Sequence, residues 1–398
     1  MRSTEWYAPY VYGGDTALLD TTTLTNGLHT LAARANYASS TATVSITVTV
    51  ANGAPSPTPT PTPPPGGCPA SLQTAINNTA NGGTLNITGC SYSGGVSIGK
   101  PMTLVGGIVS GGNPVIRIAA DDVTLSGTEV KNGSAGLQHG NIENNGYDAM
   151  TLDAVWVHDS SGSCFHVDNS AGHVIRDSLF ERCGQQAYSI SSCSDVMFTG
   201  NVVRDNNTDG IDPFWEAGGG KIARSDHVTF DDNDVHDNAG PGIWYDIYNT
   251  NSVITNNRVW GNQLSGIFYE ISSSATISGN AVWENAWGDG RGWGWGGGIL
   301  VSSSNSTHVT GNTVAWSPVG ISFIDQNRDK PGPAHDLVGT GNVIAVSSGH
   351  TTIGKYSDYS GSTLSSDPTN VISPNTIVAA GSSLLTDAGV PAYPVSGH

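Results

Sequence analysis

Two segments of the chain are near-copies: Gly242-Ile243-Trp244-Tyr245-Asp246-Ile247 and Gly266-Ile267-Phe268-Tyr269-Glu270-Ile271. They start 24 residues apart, and each places a carboxylate after Gly-Ile-aromatic-Tyr. If the repeat stacks as adjacent strands, about 4.8 Å apart, the two carboxyls are expected roughly 5 Å apart. Like charges that close repel, and a purely structural position gains nothing from the repulsion. It splits the two pKa values, so that one acid stays ionised while its neighbour holds a proton. A separation of about 5–5.5 Å suits glycosidic cleavage with retention, whereas inversion needs about 6.5–9.5 Å to admit a water. Asp246 and Glu270 are therefore the candidate catalytic pair.

The elements that must position this pair belong to a longer series. Similar starts occur at Cys164, Ala187, Gly210, Gly298 and Gly320, giving successive intervals of 23, 23, 32, 24, 32 and 22 residues. Between starts comes a second signature, in which apolar pairs flank an Asn, as in Val196-Met197-Phe198-Thr199-Gly200-Asn201-Val202-Val203 and Ala275-Thr276-Ile277-Ser278-Gly279-Asn280-Ala281-Val282. Each unit thus holds about three short strands with Gly/Asn turns, and units of this length stack as a parallel β-helix. Asn tolerates the left-handed backbone of tight turns, and stacked Asn side chains can bond along the axis. The fold expected is all-β, a right-handed parallel β-helix of three short strands per coil with an N-terminal cap. The 32-residue units read as ordinary coils with insertions of about eight residues.

The period of two assigns faces: Ile243, Tyr245 and Ile247 point to the core, Trp244 and Asp246 outward. Applied to every unit, the outward positions are His166 and Asp168, Ser189 and Ser191, Asp212 and Phe214, Trp244 and Asp246, Phe268 and Glu270, Leu300 and Ser302. Asp212 becomes a third acid, one coil before Asp246, and His166 and Asp168 candidate contacts two coils further back. Eight of the ten Trp lie between Trp215 and Trp316. Aromatic faces stack on sugar rings, so Trp244, Trp215, Phe268, Trp293 and Trp295 are candidate substrate contacts. Trp293 and Trp295 sit in the Gly-rich insertion 289–297, which reads as a mobile cleft wall. Glu216 and Lys221 flank the other Gly-rich insertion and are expected to border the site.

Outside the coils, residues 1–52 read as a partial immunoglobulin-like β-sandwich segment, with strands at Thr30–Ala35 and Ala42–Val50 and its first strands missing, as in a gene fragment. Met1-Arg2-Ser3-Thr4 is followed by no apolar stretch, so no signal peptide is expected in this sequence. Residues 53–67 form a Pro/Thr-rich linker, extended because proline fixes its backbone and lacks a donor. The catalytic β-helix domain is expected over 68–398, opening on a short capping helix at Ala70–Asn78 and losing its period after residue 325. Of five cysteines, Cys68 and Cys90 suit a disulfide around the cap, and at most two of Cys164, Cys183 and Cys193 can pair. No Cys/His spacing resembles a zinc site, and no metal or cofactor is expected, save a structural or substrate-bridging calcium. A net charge of −18 with 15 Lys+Arg makes nucleic acid and anionic membranes poor partners. No apolar run reaches membrane-spanning length.

Gly242-Ile243-Trp244-Tyr245-Asp246 and Phe268-Tyr269-Glu270-Ile271-Ser272 resemble the two motifs of the β-helix β-xylosidases of glycoside hydrolase family 120, and of related β-helix glycosidases such as family 141. That resemblance implies Asp246 as nucleophile and Glu270 as acid/base. Asn207-Thr208-Asp209-Gly210-Ile211-Asp212 resembles the first polygalacturonase motif, but the later motifs of that family are absent. Gly210-Ile211-Asp212-Pro213 followed by Gly242-Ile243-Trp244-Tyr245-Asp246 also resembles the alginate C5-epimerase pattern, with Phe214 and Trp215 where that pattern has a His. Lys221, Arg224 and Arg258 are the cations such chemistry would draw on. The expected protein is a secreted or cell-surface, monomeric, retaining glycoside hydrolase acting on a plant-type poly- or oligosaccharide, xylan-like first. A polysaccharide lyase or C5-epimerase on a uronate glycan, or a non-catalytic glycan-binding module, are the alternatives.

Overall fold

The computed structural model describes residues 27–36, 41–50, 67–328 and 331–394. The chain divides into two compact units, residues 1–62 and 63–398. In the first, strands Gly27–Asn36 and Thr41–Val50 pair antiparallel from Gly27↔Val50 to Asn36↔Thr41, as the alternating sequence predicts. The rest of the immunoglobulin-like reading, including the lead-in at Leu18–Leu24, and linker residues 53–66 lie outside the described residues.

The second unit is a right-handed parallel β-helix. Each coil lays down three short strands, and stacking them builds three long parallel sheets of 11, 12 and 11 strands. In chain order these start at Gly83–Asn86, Ser91–Ser93 and Val96–Ile98, and are called here the first, second and third sheets. Inward residues form one continuous core of Val, Ile, Leu and aromatic side chains. Phe198 and Phe230, in successive coils, stack at 4.3 Å between ring centroids, and Tyr188, Tyr245 and Tyr269 are fully buried. A helix, Leu72–Asn78, covers the N-terminal end, with Leu72 and Ile76 buried and Ser71 accepting the Thr74 N–H at its start. This is the cap expected, two residues shorter.

The Asn of the repeat signature works through its side chain. Asn201, Asn233, Asn257, Asn280, Asn312, Asn342 and Asn375 form a ladder in which each carboxamide oxygen accepts the backbone N–H of the ladder residue one coil before. The left-handed backbone falls instead on the preceding residue: Gly200, Asp232, Asn256 and Gly279 all have φ between 56° and 69°. A second ladder runs through Asn206, Asn238, Asn262 and Asn285. Buried corners, which would otherwise orphan backbone donors, are thereby satisfied.

Three readings of the sequence need correcting. First, the coils do not stop where the period is lost: they continue past residue 325 through Leu337–Thr340, Val343–Ala345, Thr351–Ser357 and Thr376–Ile377. A short helix, Ser383–Asp387, follows, and its buried Leu385 packs with Trp316 and Val390. Second, Gly210–Phe214 is not a strand; the strand of that coil is Gly218–Ala223. The first 32-residue step therefore runs from Gln186 to Gly218, one coil earlier than expected. Third, Ile247 does not continue its strand inward, because the strand ends at Asp246. Cys68 pairs with Cys90 and Cys164 with Cys183, while Cys193 is free and buried.

Candidate functional site

Registers in the third sheet fix two outward columns. One runs Glu143, His166, Ser189, Lys221, Trp244, Phe268, Leu300. The other runs Asp168, Ser191, Ala223, Asp246, Glu270, Ser302. These are the expected columns at every coil but one. The coil before Asp246 presents Lys221 and Ala223, not Asp212 and Phe214. Asp212 lies in the insertion ahead of that strand and is exposed. Its carboxylate accepts the Phe214 N–H at 2.9 Å, a local turn that keeps it out of the acid column.

Asp246 and Glu270 are register partners on adjacent strands. Lys221 Nζ bridges Asp246 at 2.7 Å, donates to the Trp215 carbonyl at 3.0 Å and lies 4.2 Å above the Trp244 ring. Glu270 is buried. Trp244 Nε1–H donates to its Oε1 at 3.1 Å and Arg328 Nη1 to its Oε2 at 2.7 Å. Burial and then the neighbouring Asp246 charge push the Glu270 carboxyl up to about 7, against the opposing pull of Arg328 and Lys221. An acid/base that changes protonation near neutral pH is what proton transfer to a leaving group requires.

The turn after each acid is unusual. Ile247 and Ile271 take φ of 50° and 48°, and Tyr248 takes 60°. Most left-handed corners are filled by Asp, Asn, Ser or Gly, which adopt this region more easily than a β-branched side chain. Ile247 and Ile271 thus carry backbone strain directly after the two acids.

Glu270 lines a pocket with Trp244, Phe268, Arg291, Trp295, Arg328 and Phe214. Two insertions wall it, residues 205–217 and 284–296, and both link the second sheet to the third at the same corner. Arg291 ties them together: its guanidinium lies 3.7 Å from the Trp295 ring and 4.5 Å from the Phe214 ring, held by Asp289 at 2.7 Å. Arg328 closes the far side from the segment between Val319–Asp325 and Leu337–Thr340. Asp246 stands beside the pocket rather than in its wall, with Lys221 joining it to the wall residue Trp244.

Trp244 was expected to offer its face to a sugar. It does point outward, but it is 3% exposed, packed with Phe268, Leu300 and Ile324 beneath Trp295 and Tyr356. The insertion folds down on it, so its role in the site is the indole hydrogen bond to Glu270. Phe268 is buried in the same cluster. Of the aromatics in the two insertions, Phe214, Trp215 and Trp293 are exposed; Trp293 makes an edge contact with Tyr356. Glu216 is taken up in loop anchoring, accepting from Gln138 Nε2 at 2.7 Å. His166 pairs with Glu143 at 2.9 Å, and Asp168 accepts from Asn169. Neither lines the pocket.

Two site residues escaped sequence reasoning. Arg291 and Arg328 sit in loops whose return to the third sheet no periodicity marks. Their only signal is charge in a chain with 12% charged residues.

The right-handed β-helix region family model matches residues 141–314. A search of curated proteins by sequence finds no match. Among solved structures, the Azotobacter vinelandii mannuronan C-5 epimerase AlgE4 A-module is similar at 14% identity and TM-score 0.41, over 77% of this chain and 92% of that one. A double mutant of the periplasmic alginate epimerase AlgG is similar at 12% identity and TM-score 0.43, over 77% and 83%. XylC, solved with xylose, is similar at 14% identity and TM-score 0.45; the match covers 60% of this chain and 44% of XylC, less than half its length. At these values the likeness is one of coil architecture.

Proposed function

We propose that this chain is a glycoside hydrolase in which Asp246 attacks the anomeric carbon and Glu270 protonates the leaving oxygen, then activates water. The observation that carries this reading is the register pair itself: two acids on adjacent strands, one ion-paired to Lys221, the other buried with its carboxyl raised to about 7. Adjacent-strand spacing of about 4.8 Å supports retention over inversion. Exposed Phe214, which lines the pocket, and exposed Trp215 and Trp293 in the two insertions that wall it suit stacking on a neutral sugar chain, and a plant-type, xylan-like glycan is the first substrate to try. Two disulfides suit an exported protein. A panel of polysaccharides with product mass spectrometry tests the reading: each bond cleaved should take up one water and create one new reducing end.

One observation favours a second reading. Lys221, Arg291 and Arg328 place three cations at the site, enough to hold a uronate carboxylate. A lyase or C5-epimerase would then use them for charge neutralisation. An unsaturated, ultraviolet-absorbing product, or an epimerised chain with no cleavage, would identify it on the same panel.

A further inference from the structure

The third sheet carries another cluster of side chains, nearer the N-terminal end. His139 Nδ1 and His166 Nδ1 each lie 2.9 Å from the same oxygen of Glu143, and the three ligating atoms fall within 4.8 Å of one another. We propose that His139, Glu143 and His166 form a binding site for a divalent transition-metal ion.

The geometry suits such an ion. Metal–ligand bonds of about 2.1 Å at right angles separate neighbouring ligand atoms by about 3.0 Å, close to both His–Glu distances. Two imidazoles and one carboxylate on one side of an ion leave the other side open, as in facial-triad sites. Nitrogen donors select a transition metal over calcium, which takes oxygen ligands.

The ligands are also held from behind. Glu143 is buried, and its second oxygen accepts the Gly140 N–H at 2.9 Å, an outer contact that orients a metal-bound carboxylate. His166 is fixed in the strand Ser163–Asp168. The loop before His139 is pinned at Gln138, whose N–H donates to Gln185 at 2.7 Å and whose side chain donates to Glu216 at 2.7 Å. His139 itself is 61% exposed in its side chain, so its ring can rotate onto an ion. Sequence spacing did not show the site, because His139 and Glu143 come from one coil and His166 from the next.

The site lies two strands from Lys221 in the same outward column, about 10 Å along the sheet. It stands independently of the hydrolase reading.

The test is titration of chelator-stripped, full-length protein with ZnCl2 and, separately, CoCl2, read by calorimetry and by the cobalt visible absorption. One saturable site per chain is expected, with affinity falling at least about tenfold in His139→Ala and in His166→Ala. Exposed His139 can be replaced without opening the core, so circular dichroism of His139→Ala should match the parent. CaCl2 should bind more weakly than ZnCl2. Absence of saturable binding of either ion, or unchanged affinity in His139→Ala, overturns the site and leaves a plain His–Glu–His hydrogen-bond cluster.

Discussion

Glu270 is where burial, charge and proposed chemistry meet. If it is the proton donor, activity should fall as pH rises through about 7, the value to which burial and Asp246 raise it. Arg328 opposes that rise. Arg328→Ala should therefore shift the alkaline limb of the pH–rate profile to higher pH, a direction that simple loss of a structural contact would not produce. The same shift affects stability. The folded state holds the Glu270 proton more tightly than the unfolded chain, whose pKa is near the ordinary 4.5. The native state thus binds more protons between those values, and stability falls as pH rises from about 4.5 to 7, by roughly 3 kcal/mol at most. Glu270→Gln should abolish turnover and flatten this part of the melting-temperature profile. An unchanged slope in the variant would place the titration elsewhere.

At the scale of elements, the Asn ladders and the strained corners make separate predictions. Asn257 accepts from Asn233 and donates to the Phe230 carbonyl and to Asn280. Asn257→Ala leaves buried donors unpaired and should cost about 2 kcal/mol in chemical denaturation. Its neighbour Asn256 sits at φ 57° with its side chain exposed, so Asn256→Gly should be nearly neutral. The corner at Ile247 works the other way. Ile247→Asn should relieve left-handed strain and stabilise by about 1 kcal/mol in chemical denaturation, with kcat unchanged, because Asn favours the same backbone that ends the strand at Asp246. A loss of stability would show that the Ile247 side chain, not its backbone conformation, is what the corner requires. Arg291→Ala, which unties the two insertions, should raise KM more than it lowers kcat.

The same scale shows what the sequence disclosed. Repeat period plus alternation gave both outward columns, because inward Ile and Tyr in each unit leave no freedom of register. They failed at the coil of Lys221. Gly218-Gly219-Gly220 looks like a loop, yet it is a strand whose glycines are demanded by close neighbours. A Cβ on Gly220 would come within 2.5 Å of the Tyr188 ring, and one on Gly219 within 2.1 Å of the Gly242 carbonyl. A loop reading of these glycines puts the strand at Gly210–Phe214 instead of Gly218–Ala223, and Asp212 in a column it does not occupy. The burial of Trp244 was equally hidden, since nothing local shows an insertion folding down over an outward face.

For the whole molecule, stacked coils make a nearly one-dimensional structure in which each coil is stabilised by its neighbours. The unit 63–398 holds its own core and its own cap. A fragment lacking residues 1–62 should keep the parent's melting temperature for the β-helix transition and its activity, as differential scanning calorimetry and the same glycan assay would report. A large drop in either would mean the first unit supports the second. The site's cations and Glu270 come from strands and loops spread between Phe214 and Arg328, so partial unfolding of the C-terminal coils should abolish activity before the N-terminal coils melt.

The most direct test of the central claim is the product formed from plant-type glycans by the wild type and by Asp246→Asn and Glu270→Gln. The pair predicts hydrolysis products, with one water taken up per bond cleaved and the anomeric configuration retained in proton NMR, and none from either variant. Inverted or unsaturated products, or wild-type turnover in either variant, would contradict it.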